Sequence, residues 1–319
     1  MPKLSVIVPV YGVEKYIARC ARSLFEQTLD DIEFIFVDDC TPDSSMEILA
    51  QEIEKYRLCF AEMNHVIRTE RMSMNSGLAA VRRHGIQLAT GDFVIHCDSD
   101  DWVDKDAYLH MYETAIREDA DCVLCNYACH DGKQLLVEKK GCISTNKDEY
   151  LQELFYQRSE WPVWNRMVRR DICTSIKQDP VCNMGEDMVL SLQYTIKCKQ
   201  IALVPKPLYF YFENPASIVR TVTLESVVSK FRQSDANVRV LSEALKEESI
   251  KDHKILEGLE WLYYRSSNTL LPFIRNKEVR QIWRKHYDQY NWKFLKHSRI
   301  SIGRKIRHVL ITVYLFMHK

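Results

Sequence analysis

An α/β fold with a doubly wound sheet and a helical C-terminal region follows from three features of the chain. Short apolar, β-branched runs alternate with helix-patterned stretches in its N-terminal part. Acidic residues gather where those runs end, and from about Leu224 onward the pattern becomes almost wholly helical.

The run 4-LSVIVPVY-11 lacks polar alternation, which suits a strand buried in a parallel sheet. Pro9 and Tyr11 stand at its C-terminal end, and Gly12 permits a turn. Over 14–28, Tyr16, Ile17, Cys20, Leu24 and Phe25 form one helical stripe. A second strand, 33-EFIFVDD-39, ends in Asp38 and Asp39; Asp43, Ser44 and Ser45 are cap candidates for a helix over 45–57. Strand, helix, strand, helix implies right-handed crossovers, and ligands of such sheets bind beyond the carboxyl ends of the strands. Residues 64–70 fit a third strand. The turn Asn75-Ser76-Gly77 opens a helix from Leu78 to Ala89, capped by Gly91. Arg82 and Arg83 lie on it, either solvated or with one facing an anionic ligand.

The next strand is 92-DFVIHCDSDDWVD-104, whose apolar run gives way to Asp98, Asp100 and Asp101. Like charges this close repel, and burial adds to the penalty. A strand end carries them either solvated in a loop or as oxygen ligands of a divalent cation. Tyr11, Asp38, Asp39 and the Asp98–Asp101 group all lie at strand ends, so they converge on one crevice.

Beyond Trp102, a helix is expected over 105–119, a strand over 121–129, a turn at Asp131-Gly132 and a helix over 147–157. The segment 161–172 carries Trp161 and Trp164. A turn at Gly185 leads into a helix with Glu186 and Asp187 in its first turn, where the helix dipole alone favours acids. Pro205 and Pro207 push the strand over 201–212 to an edge. Long helices are expected over 224–248, 252–275 and 278–296.

With 319 residues, 46% of them hydrophobic, the chain can form one large or two modest domains. Its zero net charge points away from nucleic acid. Charge is uneven, however: residues 275–319 hold 12 Lys+Arg against 2 Asp+Glu. The run 309–317 is too short to span a bilayer. The tail 299–319 reads as a basic amphipathic helix, lying on anionic lipid at the inner face of the cell membrane or docked on the protein's own core. An odd count of 11 cysteines and a start that runs straight into a strand favour a reducing, cytoplasmic setting. Cys122, Cys125 and Cys129 are read either as metal ligands or as small buried residues of a strand.

Taken in order, 4-LSVIVPVYGVEKYI-17, 27-QTLDDIEFIFVDDCTPDSS-45, 75-NSGLAAVRRHGI-86, 90-TGDFVIHCDSDDWVD-104 and 185-GED-187 resemble the family 2 inverting glycosyltransferases of the GT-A fold, a Rossmann-like mixed sheet. The resemblance covers about residues 3–215. It makes 1–215 a catalytic domain, with 1–104 the nucleotide-sugar-binding half and 105–215 the acceptor half, and leaves 216–319 as a helical region ending in the basic tail. It implies transfer of a hexosyl or N-acetylhexosaminyl group from a nucleotide-diphosphate sugar, UDP-sugar being the expected donor. The acceptor would be a hydroxyl of a glycan or lipid-linked glycan in cell-surface polysaccharide synthesis. By the same resemblance Pro9, Tyr11 and Asp39 hold the nucleotide, and the D-x-D motif falls on Asp98-Ser99-Asp100. Asp100 would coordinate Mg²⁺ or Mn²⁺, with Asp98 on the ribose side or supporting the metal. Arg82 would add positive charge at the donor, and Asp187 would be the catalytic base. Trp161 and Trp164 belong to the acceptor side or to the core. The chain departs from the family pattern at Gly12 (usually Asn), Cys40 (usually Gly) and Arg83 (usually Asn). Two rival readings are a nucleotidyltransferase and a non-catalytic nucleotide-sugar-binding protein. The first usually has a Gly-rich phosphate loop, which 8-VPVYGVEK-15 lacks; Asp98, Asp100 and Asp187 argue against the second.

Overall fold

In chain order the strands are β1 (Leu4–Val10), β2 (Ile32–Asp38), β3 (Val66–Arg71), β4 (Phe93–His96), β5 (Trp102–Val103), β6 (Cys122–His130), β7 (Leu135–Lys139), β8 (Arg166–Arg169) and β9 (Ile201–Phe212). They form a single mixed sheet of order β3-β2-β1-β4-β8-β6-β9-β5, with β7 added to β6. The computed structural model describes residues 1–156, 159–213, 222–287, 295–296 and 300–317. The helices are α1 (Ile17–Phe25), α2 (Ser45–Lys55), α3 (Arg57–Met63), α4 (Leu78–Leu88), α5 (Ala107–Arg117), α6 (Lys147–Tyr156), α7 (Arg170–Ser175), α8 (Glu186–Lys197), α9 (Leu224–Glu247), α10 (His253–Asn268), α11 (Lys277–Tyr287) and α12 (Ile302–Met317).

Strand side chains alternate faces, so each face builds its own core. Val6, Val8, Phe34, Phe36, Phe93 and Ile95 pack against α1, α2 and α5 on one side. Ile7, Ile35, Val37, Val94 and Leu124 pack against α4, α6 and α8 on the other. Helices on both faces and parallel pairing of β1 with β2 and β4 are the doubly wound arrangement expected. Antiparallel β8, wedged between β4 and β6, makes the sheet mixed.

Three expectations change. Gly91 does not cap α4, which ends at Leu88 with Ala89 already extended. Its role is close approach: a Cβ there would lie 2.7 Å from the Ser5 amide nitrogen of β1. Strand β9 is not the last strand of the sheet, since β6 flanks it on one side and β5 on the other, but β5 pairs with it only at Tyr209 and Phe210, beyond the prolines. Its prolines are absorbed by a slip in register: Cys125 faces Val204, but Asn126 faces Pro207. Cys122, Cys125 and Cys129 are buried β6 residues, and among the described residues no group of three His, Cys, Asp or Glu is placed to hold a metal. The 215/216 boundary, residues 288–294 of the helix expected over 278–296, and residues 299, 318 and 319 of the tail lie outside the described residues.

Candidate active site

The crevice at the carboxyl ends of β1, β2 and β4 has a rim tied together by side chains. The β1–α1 loop donates amides from Gly12 to Thr41 Oγ1 (2.9 Å), from Val13 to Ser45 Oγ (3.0 Å) and from Glu14 to Asp43 Oδ2 (3.0 Å). Burial alone would raise Asp43, but hydrogen bonds from Ser45, Thr41 and the Glu14 amide outweigh it and hold its pKa at about 2. Tyr11, 51% exposed, stands on this rim, and Pro9 is partly exposed beside it.

Asp39 serves the backbone. Its two oxygens accept from the Ser76 amide (2.7 Å) and the Gly77 amide (2.9 Å), which pins the start of α4. Each oxygen keeps a second lone pair, although only 4% of the residue is exposed. Cys40 takes φ +57, the left-handed conformation that a glycine enters without strain. Its thiol donates to the Met72 carbonyl (3.0 Å).

The turn after β4 divides its acids. Asp101 is fully buried and accepts from Tyr209 Oη and from the Phe212 amide, both at 2.6 Å. Burial first, then the charges of Asp100 and Asp98, push its pKa well up. It therefore fastens the turn to β9. The Tyr209 hydroxyl also accepts from the Asp98 amide (3.1 Å). Arg19 donates to the Asp100 carbonyl (2.7 Å) while stacking 3.8 Å above the Trp102 ring. Asp98 and Asp100 stay partly exposed.

Across the crevice, Gly185 at φ +86 turns the chain into α8 and presents Glu186 and Asp187. A left-handed φ of this size suits glycine. Arg82, only 1% exposed, reaches up from α4 beneath them. Its Nη2 lies 3.0 Å from Asp98, 3.5 Å from Asp187 and 3.7 Å from Glu186. This overturns the solvated reading for Arg82, whereas Arg83 is exposed and lies 3.7 Å from Asp179. Burial alone would discharge Arg82, but Asp98, Asp187 and Glu186 outweigh it and keep it firmly cationic. Arg82 thus holds carboxylates together from below.

Burial, then the neighbouring Asp187 charge, raises Glu186 well above the usual carboxylate range. Asp187 is also raised, mainly by burial, with Arg82 pulling the other way. Glu186 is 5% exposed, while the Asp187 side chain keeps 31% of its surface open. Glu186 is the more buried and the more strongly raised of the two, so it favours the protonated form more than Asp187 does. His96 lies below, kept neutral by burial and by Arg82.

Trp164 is not an acceptor platform: it stacks on Tyr209 at 4.1 Å inside the core. Trp161 donates its Nε1–H to the Leu154 carbonyl (2.8 Å) and packs beneath Arg265. Sequence reasoning missed Arg19, Tyr209 and Asn183, whose Oδ1 accepts from the Ala79 amide of α4 (3.2 Å). Asp98 and Asp100 offer two partly exposed carboxylates, a donor set that suits a hard cation taking its other ligands from phosphate and water, as Mg²⁺ and Mn²⁺ do.

The model of the family "Glycosyl transferase family 2" matches residues 5–176. EpsH of Bacillus subtilis, named as a glycosyltransferase, is 32% identical over 78% of this chain and 72% of its own length. The poly(ribitol-phosphate) beta-glucosyltransferase of Bacillus spizizenii is 25% identical over 95% of this chain, a match that takes in 53% of that protein. TarS of S. aureus, solved with UDP-GlcNAc, superposes with a TM-score of 0.70 at 20% identity, over 90% of this chain and 80% of that one. This last likeness shows the fold, which is GT-A.

Proposed function

Because the chain belongs to glycosyl transferase family 2, and is thus a glycosyltransferase, we propose an inverting transfer from a nucleotide-diphosphate sugar. The acceptor is a hydroxyl of a glycan or lipid-linked glycan, in cytoplasmic assembly of a cell-surface polysaccharide. One observation carries this reading: Asp98 of the β4 turn and Asp187 of α8 meet at the same Arg82 guanidinium. Donor-side and acceptor-side carboxylates thereby flank one crevice.

Inversion is a single in-line displacement. Asp187, open to the crevice, takes the proton of the acceptor hydroxyl. The hydroxyl oxygen bonds to the anomeric carbon as the bond to the diphosphate breaks, and the electron pair leaves with the nucleoside diphosphate. A raised pKa makes Asp187 a better base than an ordinary aspartate. Glu186, more deeply buried beside it, shares the Arg82 guanidinium with Asp187 and helps to fix its place. Pro9, Tyr11 and Asp39 hold the nucleoside at the β1–β2 rim. Asp98 and Asp100 would hold Mg²⁺ or Mn²⁺, which supplies charge stabilisation to the leaving diphosphate when bound. Arg82 is a positioning residue, acting through the carboxylates above it.

UDP-linked hexoses and N-acetylhexosamines are the first donors to try, because TarS is solved with UDP-GlcNAc. A screen of UDP-, GDP- and dTDP-sugars with Mn²⁺ tests the proposal. Release of nucleoside diphosphate from one donor class is expected; no turnover with any donor would sink the enzymatic reading in favour of a binding protein.

A further inference from the structure

Helix α12 has two apolar faces, and among the described residues only one is packed inside the protein. Ile311, Tyr314 and Leu315 pack with Val227, Val228 and Phe231 of α9 and with Val279 and Trp283 of α11. Arg284 of α11 adds a hydrogen bond to the Leu315 carbonyl. These contacts fix the rotation of the helix. The opposite face is then turned outward with Ile302 (76% exposed), Ile306 (55%), Val309 (43%), Leu310 (63%), Val313 (49%) and Met317 (71%). At 3.6 residues per turn, those positions fall within an arc of about 100°.

Contiguous exposed apolar side chains in a water-soluble fold mark a contact surface. The charges around the stripe select the partner. On the helical wheel Lys305 borders one edge and Arg307 the other, and α12 contains no acidic residue. An apolar strip between two cationic margins matches the acyl and headgroup layers of an anionic bilayer. A second copy of this chain fits less well, because pairing stripe on stripe sets like charges face to face. We propose that α12 seats the protein on an anionic lipid surface, its apolar stripe in the acyl boundary and Lys305 and Arg307 at headgroup level. The docked and membrane-facing readings of the tail are thus two faces of one helix. Because the stripe is already held outward by the docked face, binding needs no coupled folding. The assignment is independent of the catalytic chemistry.

Co-sedimentation of the full chain with vesicles tests it, comparing phosphatidylcholine alone with phosphatidylcholine plus phosphatidylglycerol. The protein is expected on the phosphatidylglycerol vesicles, less so as salt rises. The double substitution Ile306→Glu/Leu310→Glu is expected to lower the partition coefficient by at least about tenfold. Leu58→Glu, on α3 and 77% exposed, is expected to leave it unchanged. Should the double variant fail to match the wild-type melting temperature, Lys305→Glu/Arg307→Glu replaces it, again with binding lost. Equal sedimentation of wild type and folded variants, or no sedimentation with either vesicle, overturns the proposal. So does a wild-type dimer in light scattering that Ile306→Glu/Leu310→Glu makes monomeric. Turnover of a soluble donor in the same variants reports separately on the catalytic reading.

Discussion

Replacing Arg82 with Gln would leave Asp98, Glu186 and Asp187 facing one another in the crevice floor without the cation they share. At an effective dielectric constant near 20, a contact at 3.0–3.7 Å is worth roughly 5 kcal/mol before desolvation is subtracted. Breaking a buried pair by removing one member costs about 3–5 kcal/mol net. Asp98 and Asp187 are 26% and 31% exposed, so water screens part of the interaction and the loss falls near the lower end, about 3 kcal/mol. That is a large share of the roughly 5–15 kcal/mol that holds a typical domain folded. The deficit should shrink on acidification, as Asp187, whose pKa burial already raises, takes up a proton and ceases to repel its neighbours. Activity carries a second signature. Arg82 favours the charged form of Asp187, so its removal raises the Asp187 pKa further and moves the acidic limb of the pH–rate profile to higher pH. Urea unfolding at two pH values and a pH–rate profile measure both. An Arg82→Gln variant with wild-type stability and an unmoved acidic limb would refute the reasoning.

Glu186→Gln keeps a hydrogen-bond donor beside Asp187 and removes a titrating group, so transfer is expected within about tenfold of wild type. Its stability signature has a definite sign: a carboxylate whose folded pKa is raised contributes stability that is full below its unfolded pKa and is lost as pH climbs through the folded value. The variant should therefore show a flatter decline between those two pKa values, and an unchanged pH–stability curve would count against a protonated Glu186. Cys40→Gly relieves a left-handed φ worth about 1–2 kcal/mol but gives up the thiol hydrogen bond and gains chain entropy in the unfolded state. A thermal melt should find it neutral to about 1 kcal/mol more stable; a clear loss would mean that the thiol contact matters more than the strain. Chelation with EDTA should stop sugar transfer, and Mg²⁺ or Mn²⁺ should restore it; undiminished activity in EDTA would remove the metal from Asp98 and Asp100.

What could be read from the chain followed from local pattern. Strands β1, β2 and β4 announce themselves because both faces are buried, leaving no polar alternation to confuse with a helix. The carboxylates at their ends stand out for the same reason. Strand β8 was hidden by its arginines: Arg166 is 1% exposed and donates Nε–H to the Pro162 carbonyl (2.7 Å), yet in sequence it belongs to a basic surface-like run. Side chains that act through distant partners were equally illegible. Tyr209 meets Asp101 across 108 positions, and Asn183 meets α4 across 104. Arg82 carried no mark of burial, because the acids that make burial tolerable lie in another turn and another helix. The expected edge at Pro205 and Pro207 holds only locally: β5 joins β9 just beyond them, at Tyr209 and Phe210, and a register slip against β6, invisible in composition, accommodates the prolines.

The central claim is that Asp187 takes the acceptor proton, and Asp187→Asn tests it most directly. Asparagine keeps the shape but cannot serve as the base. With donor binding and transfer measured on the same preparation, the account predicts a nucleotide affinity close to wild type and transfer reduced by about 10²–10⁴-fold. Transfer at the wild-type rate in a folded, donor-binding Asp187→Asn protein would contradict it.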